Sequence, residues 1–377
     1  MARTVQLKDI ATIITGNTPK TSDEENYASD DICFIKPGDI SESEINELSE
    51  SAYYISESAR NTARLAPKGS ILVTCIGTIG KTAILARECA FNQQINAVVP
   101  NTNFIDVHYL AYAIASNKTH MQEIANAAVV PIINKSDFSK LSVIIPPLEE
   151  QQRISRILEK IRLLISHRKQ QLAKLDELVK ARFVEMFGDP VLNQKKFLCY
   201  RVNDVIEFQG GSQPDKKYFE YMPTADNIRL IQIRDYKSDR YKTYIPKSLA
   251  KRFCTADDIM IGRYGPPIFQ ILSGIEGSFN VALMKAIPQM GNKEFIRQYL
   301  KQECLLKYLE GLSKRTAGQD GIQMDKLKAY PLPFPPIELQ NEFANFSEQI
   351  GNFKLTIQQS LDKLEVLKKA LMQEYFG

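Results

Sequence analysis

The sequence predicts an α+β chain: two similar mixed α/β domains separated by two long helices that pair as an antiparallel coiled coil, with an internal pseudo-two-fold repeat. Three observations predict this. Residues 146–188 reappear at 335–377 without a gap, 189 positions later, with sixteen of the forty-three positions identical. Both copies carry apolar residues in a heptad rhythm. The two blocks outside them, 1–145 and 189–334, have similar lengths and the same succession of short apolar segments.

In chain order, the first block opens with "VQLKDIATIITGNTPK", a short helix, an apolar pair and a glycine-bearing polar turn, matched later by "YRVNDVIEFQGGSQPDK". "ICFIKPGDI" matches "IRLIQIRDY", each a strand followed by an Asp. "GSILVTCIGTIG" and "ADDIMIGRYGPP" read as a strand entering a glycine loop. "HYLAYAIAS" and "QYLKQECLLKYL" have the spacing of amphipathic helices. Each block closes with a turn, a short helix and a strand that runs into a diproline. Proline excludes α geometry from the residue before it and suits a helix's first turn, so a long helix starts there in both copies. Glu149 and Glu338 fall in that first turn, where the helix dipole favours a carboxylate.

One heptad seam in the second copy runs Phe343, Phe346, Ile350, Phe353, Ile357, Ser360, Leu364, Leu367, Leu371. In the first copy the same register gives Ile154, Ile157, Ile161, Leu164, Arg168, Gln171, Leu175, Leu178, Arg182. Its polar middle suits a register-fixing device or a partner contact. Each helix spans about 50–60 Å at 1.5 Å per residue. The expected boundaries are therefore 1–145, 146–188, 189–334 and 335–377.

Composition is that of a soluble globular protein, with 44% hydrophobic and 24% charged residues. No apolar leader or membrane-length run is read, and the six scattered cysteines form no C-x-x-C pair. They are expected to be reduced thiols filling cores in a cytoplasmic protein. The net charge of +4 is unevenly spread. Block 189–334 has 23 Lys+Arg against 16 Asp+Glu, an excess that suits a polyanion, whereas block 1–145 has 12 against 16. The acids of 23–57 are expected to form a solvated loop region.

No catalytic constellation emerges. "CIGTIGKTA" lacks the G-x-x-x-x-G-K spacing that wraps a diphosphate; a tight turn presenting Thr78 and Lys81 to a phosphate backbone fits better. "GPPIF" is similar in outline to the [DN]-P-P-[FYW] loop of adenine methyltransferases but lacks its Asp/Asn and its stacking aromatic. "QPDKK" has no acidic partner strand, and the three histidines do not cluster.

What remains is polar loops suited to DNA. In the first block they offer Thr18, Lys20, Lys36, Thr78, Lys81, Asn134 and Lys135. In the second they offer Arg234, Arg240, Lys242, Arg263, Tyr264, Lys314, Arg315, Gln319 and Gln323, with Lys237 and Thr316 beside them. Arginine can take guanine O6 and N7 together, glutamine can take adenine N6 and N7, and Lys or Thr can fasten phosphates.

At these residues the chain resembles the specificity subunit of Type I restriction–modification enzymes. The resemblance rests on the whole layout, on "IIPPLEEQQRI" with its second copy "PFPPIELQNEF", and on "LDELVKARFVEMFGDP" echoed by "LEVLKKALMQEYFG". The second copy departs from the family pattern at Asn341 and Glu342. The resemblance implies two target recognition domains, each reading one half of a bipartite asymmetric DNA site, with the helix pair setting the spacer. It implies double-stranded DNA, two methyltransferase subunits and restriction subunits as partners, and no membrane. It implies that this chain is not itself an enzyme and binds no cofactor, with S-adenosylmethionine, ATP and Mg held by the partner subunits. Two rival readings are a coiled-coil scaffold whose globular ends bind other proteins, and an enzyme with an unrecognised active site.

Overall fold

A diproline precedes each of two 40-residue helices, and the chain divides around them. The computed structural model describes residues 2–125, 130–265, 267–313 and 321–377. Its elements are β1 (Arg3–Gln6), α1 (Leu7–Ile10), β2 (Ala11–Thr15), β3 (Ile32–Ile35), β4 (Asn46–Leu48), β5 (Tyr54–Ile55), β6 (Leu65–Ala66), β7 (Ile71–Thr74), β8 (Thr82–Leu85), β9 (Cys89–Phe91), β10 (Ile95–Pro100), α2 (Val107–Ser116), α3 (Lys118–Ile124), α4 (Lys135–Ser139), β11 (Ser142–Ile145) and α5 (Leu148–Phe187). There follow β12 (Leu198–Arg201), α6 (Val202–Val205), β13 (Ile206–Gly210), β14 (Asn227–Ile231), β15 (Tyr244–Pro246), β16 (Phe253–Cys254), β17 (Ile259–Gly262), β18 (Gln270–Leu272), β19 (Gly277–Phe279), β20 (Leu283–Pro288), α7 (Lys293–Leu300), α8 (Glu303–Ser313), α9 (Met324–Ala329), β21 (Pro331–Phe334) and α10 (Ile337–Phe376). Two compact units result: unit 1 is Met1–Lys169 with Gln359–Gly377, and unit 2 is Gln170–Gln358.

In unit 1 one sheet has the order β2-β10-β7-β8-β4, a second has β5-β3-β9-β6, and β1 pairs with β11. Mixed pairing is present: β3·β9 and β4·β8 are parallel, the other pairs antiparallel. Unit 2 repeats the plan as β13-β20-β17-β18, β15-β14-β19-β16 and β12·β21. The faint outline shared by the two blocks is thus a strand-by-strand correspondence, with β4 alone lacking a counterpart among the described residues. "QYLKQECLLKYL" forms two helices, α7 and α8, because the chain breaks at Lys301–Gln302. The acidic stretch expected as loop contains β3, β4 and β5; although most of its acids are exposed, Leu48 is buried and anchors β4.

Each unit's core is closed by the end of a long helix. In unit 1, Leu371, Met372, Tyr375 and Phe376 of α10 pack on a core that includes Tyr109, Ile154 and Leu158, with the Tyr109 and Phe376 rings 5.2 Å apart. In unit 2, Phe183 and Phe187 of α5 pack against Phe295 and Phe343 at centroid distances of 5.0–5.7 Å. Within unit 1 the helix segments run antiparallel, Lys169 facing Glu365 at 3.5 Å while Arg153 lies beside Tyr375. Within unit 2 they do so again: Asp176 pairs with Lys354, and Arg182 pairs with Glu342 at 2.9 Å. The two departures noted in the second copy are both used inside unit 2. Glu342 takes Arg182, and Asn341 Oδ1 accepts from Asn292 Nδ2 at 2.9 Å.

The buried seam differs from the expected one at alternate positions. Ile154, Ile161, Phe343 and Ile350 are buried as expected, but Leu164, Leu178, Phe353 and Leu367 are exposed. Leu158, Ile165, Val179 and Leu361 are buried in their place. Both seams share the seven-residue period. The choice between them is made by the flank that meets each unit's core, which periodicity alone does not reveal. Four cysteines fill cores as expected; Cys199 instead is exposed, on a two-stranded edge, and Cys304 is half-buried. No helix among the described residues is long and apolar enough to cross a membrane.

The diproline joint is built the same way twice. Gln151, fully buried, accepts from Asp106 N–H at 2.9 Å through Oε1, and its Nε2 donates to the carbonyls of Phe104 (3.0 Å) and Pro146 (2.9 Å). Gln340, also fully buried, accepts from Asn292 N–H at 2.7 Å and donates to the Pro335 carbonyl at 2.7 Å. Asp106 and Asn292 cap α2 and α7, so one amide side chain ties the root of a long helix to the start of a domain helix.

A second tie in unit 1 is sensitive to acid. Glu159 on α5 accepts from Tyr112 Oη at 2.6 Å and from Arg162 at 2.8 Å. Burial pushes its carboxyl up, but the hydrogen bonds from Arg162 and Tyr112 outweigh this and hold it below the usual range. A carboxyl whose folded pKa is depressed adds stability above its unfolded pKa of about 4.3, and that stability is lost as pH falls through the folded value. Thermal melting of Glu159→Gln from pH 6 to pH 3 is therefore expected to show a shallower acid-side loss in unit 1 than the parent protein. Parallel acid limbs would discard this account.

Candidate nucleic-acid interface

In each unit the C-terminal ends of four strands meet at one turn. In unit 1, β10 pairs antiparallel with both β2 and β7, so Thr15 and Thr74 finish at the same edge, opposite Asn96 and Ile95. β3 and β9 end there too, since Asn92 N–H donates to the Ile35 carbonyl at 3.2 Å. The loops leaving these strands are stitched to that turn: Gly16 N–H donates to Ile95 O at 3.1 Å, Asn17 N–H to Phe91 O at 3.0 Å and Cys75 N–H to Gln94 O at 2.8 Å. The 131–133 segment joins them through Gly77 N–H to Pro131 O (2.9 Å) and Ile133 N–H to Cys75 O (2.9 Å).

Unit 2 has the same edge. Gly211 N–H donates to Leu283 O at 3.1 Å, Ser212 N–H to Phe279 O at 3.0 Å, Asn280 N–H to Ile231 O at 3.0 Å and Arg263 N–H to Ala282 O at 2.9 Å. Tyr264 bridges to Gly321 as Ile76 bridges to Ile132. Glycine is required at the root of the first loop. A Cβ on Gly16 would stand 2.2 Å from the Asn92 carbonyl oxygen, and one on Gly211 would stand 1.9 Å from that of Asn280.

The residues singled out from sequence gather at these edges with different freedom. In unit 1, Thr18 Oγ1 donates to Gln93 Oε1 at 2.7 Å, and Lys20 and Thr78 are exposed. Lys36 lies 3.2 Å from the Tyr53 ring centroid, a cation–π contact, and Lys81 Nζ donates to the Pro37 carbonyl at 3.3 Å. Asn134 caps α4, accepting from Asp137 N–H at 2.8 Å and donating to its carboxylate at 2.7 Å, which uses its amide inside the fold. Lys135 beside it is exposed. In unit 2, the Arg263 guanidinium stands 5.3 Å from the Tyr264 ring and donates to the Val281 carbonyl at 3.3 Å. Arg234 donates to Thr243 Oγ1 at 3.2 Å, Arg240 lies 5.2 Å from the Tyr241 ring, and Lys242 pairs with Asp239 at 3.1 Å. Gln323 donates to the Leu312 carbonyl at 3.3 Å. Lys314, Arg315, Thr316 and Gln319 lie outside the described residues.

Sequence reasoning missed Asn17, Gln93 and Arg64 at the edge of unit 1. Arg64 donates to the Thr15 carbonyl at 2.7 Å, and its N–H donates to Asn17 Oδ1 at 2.7 Å. The turn "FNQQIN" carried the available signal, as consecutive amides between two strands. Exposed Tyr53, under Lys36, was likewise passed over.

Two copies of one mixed α/β unit, each with a polar, partly basic loop edge and a long helix rooted at the start of a domain helix, define a duplicated two-domain class of protein. The family model described as Type I restriction modification DNA specificity domain matches the chain twice, over residues 2–177 and 194–368. The chain belongs to this family. It is 25% identical over 272 residues to the Type I restriction enzyme MjaIX specificity subunit of Methanocaldococcus jannaschii, covering 63% of each. It is 28% identical over 184 residues to the Type I restriction enzyme HindI specificity subunit of Haemophilus influenzae, covering 47% of this chain and 40% of that one. These alignments thus span less than two thirds of either relative. In fold, the chain is similar over its full length to the S subunit of a Type-I restriction-modification system from M. genitalium, with a TM-score of 0.62 at 13% identity and 96% of that chain covered.

Proposed function

We propose that this protein is the sequence-specific DNA-binding specificity subunit of a Type I restriction–modification complex. The observation that carries the reading is the duplicated loop edge in a chain of the DNA specificity domain family. Each edge reads one half of an asymmetric bipartite site. Arg263, Tyr264, Arg234 and Arg240 serve one half; Thr18, Lys20, Lys36, Thr78, Lys81 and Lys135 serve the other. Lys314, Arg315 and Gln319 are assigned to the same half as Arg263 by residue type alone. Asn134 and Gln323, already bonded within the fold, shape their loops. Phosphate contacts supply the salt-dependent affinity and base contacts the preference.

The paired helices set the spacer and receive two methyltransferase subunits, with restriction subunits joining that core. Apolar side chains left exposed on the helices support docking: Leu163, Leu164, Val366 and Leu367 in unit 1, and Leu178, Val184, Phe353 and Leu355 in unit 2. Methyl transfer and ATP-driven cleavage, with their S-adenosylmethionine, ATP and Mg, are work for those partners in the cytoplasm, and this chain is a reader without catalysis of its own.

Inserting a whole heptad into both helices is expected to lengthen the spacer in the methylated site while both half-sites keep their sequence, as read by methylome sequencing. An unchanged spacer would remove the ruling role of the helices. Arg263→Ala is expected to weaken binding of the assembled complex by about 1–3 kcal/mol and to relax one half-site. Equal weakening on all sequences would make Arg263 a phosphate contact instead.

A further inference from the structure

The two units differ at one sheet edge. In unit 1, β4 covers β8: Asn46, Glu47 and Leu48 lie beside Ala83, Ile84 and Leu85, Ala86 N–H donates to the Leu48 carbonyl at 2.9 Å, and all of β8 is buried. In unit 2 the matching connection, 232–243, is six residues shorter than 36–53 and forms no such strand. The outer edge of β18, the counterpart of β8, is unpaired among the described residues, and its three residues are half-buried only.

The atoms that β4 and the residues after it satisfy in unit 1 have orphaned counterparts in unit 2. The correspondence follows from the shared bonds to the strand-end turn, which align Ile35 with Ile231 and therefore Cys33 with Arg229 and Asp39 with Asp235. The Cys33 thiol donates to the Ser49 carbonyl at 3.5 Å; Arg229 Nε is buried with no hydrogen-bond partner among the described residues, Asp235 Oδ2 standing 3.9 Å away. Asp39 Oδ1 accepts from Ala52 N–H at 3.2 Å; Asp235 Oδ1, in a side chain only 1% exposed, has no hydrogen-bond donor among the described residues, Arg234 Nε standing 4.0 Å away. Tyr236, in the place of Ile40, also has a buried hydroxyl with no partner among the described residues. A buried donor and acceptor left unmade cost free energy, and both line the groove between 235–239 and 273–276.

We propose that unit 2 takes an extended segment of a partner subunit as an added strand along β18. Its backbone carbonyl accepts from Arg229 Nε and its backbone N–H donates to Asp235 Oδ1. An apolar side chain fills the place that Leu48 holds in unit 1, above Met260 and Leu272, the counterparts of Leu72 and Ala83. The rim carries both signs, with Lys237 and Glu276 lining it and Asp239 already paired to Arg229 and Lys242. Main-chain bonding of this kind is the β-augmentation mode of peptide recognition. That a partner subunit supplies the strand rests on the function proposed above.

Hydrogen exchange on the full chain, alone and assembled with its methyltransferase and restriction subunits, tests this beside a DNA-binding assay. The amides of 270–276 are expected to slow at least tenfold on assembly. Ser273→Pro, which removes an amide at the outward-facing position matching Ile84, is expected to abolish that slowing while DNA binding persists. A complex that binds DNA with 270–276 exchanging at the free rate overturns the strand and leaves the function standing. A complex that fails to bind DNA overturns the function, and the groove is then judged on the free chain with a peptide of this protein's own residues 44–52. Slowing of 270–276 by that peptide and not by its scrambled form supports the strand slot; no slowing means the groove holds water only and ends the proposal.

Discussion

Phe183→Ala is expected to loosen unit 2 and leave unit 1 intact. The Phe183 ring touches three others, Phe187 at 4.9 Å, Phe343 at 5.5 Å and Phe295 at 5.7 Å, and is 1% exposed. Truncating a buried Phe costs about 3–5 kcal/mol, because lost transfer energy and a residual cavity add. For a unit of this size that lowers its melting temperature on the order of 10 °C. The readout is hydrogen exchange by segment: α7 and β20 exchange faster while β7 and β10 hold their rates. Equal acceleration in both units would mean that their cores are not separate.

The second large effect is expected at the diproline joint. Gln151→Leu keeps roughly the volume but strands one N–H and two carbonyls, those of Asp106, Phe104 and Pro146. Each buried group left unmade costs about 1–3 kcal/mol, so a loss of about 3 kcal/mol or more follows. The neighbouring Gln152→Leu, at an exposed position, is expected to stay within about 0.5 kcal/mol. Chemical denaturation followed at unit 1 separates them; equal losses would show that the amide contributes only packing.

Much of the fold was legible because the repeat states it twice. "PPLEEQQRI" and "PPIELQNEF" marked both helix roots to within two residues, expected at 146 and 335 and observed at Leu148 and Ile337, and "ILVT" marked a strand by its β-branched run. The seam was half legible, since Leu164 and Leu178 fit the heptad as well as Leu158 and Val179 do; only packing against a unit's core separates them. β4 was hidden because "INEL" sits among acids, and a short edge strand carrying one buried Leu has no alternation to display. At the loop edges, residue type identified candidates but not their freedom. Asn134 reads as a base-contacting amide in sequence and is a helix cap in space, while Arg64 reaches the edge from a segment that carries no motif.

The crowded glycines at Gly16 and Gly211 have a consequence for how such a chain can change over generations. A side chain at either root would collide with a backbone carbonyl and shift every residue beyond it together. Thr18, Lys20 and the residues after Ser212 lie past that pinch, where an exchange alters one surface group and leaves its neighbours in place. Mutation is thus channelled into the tips, and a lineage can revise what it prefers without renegotiating how it folds.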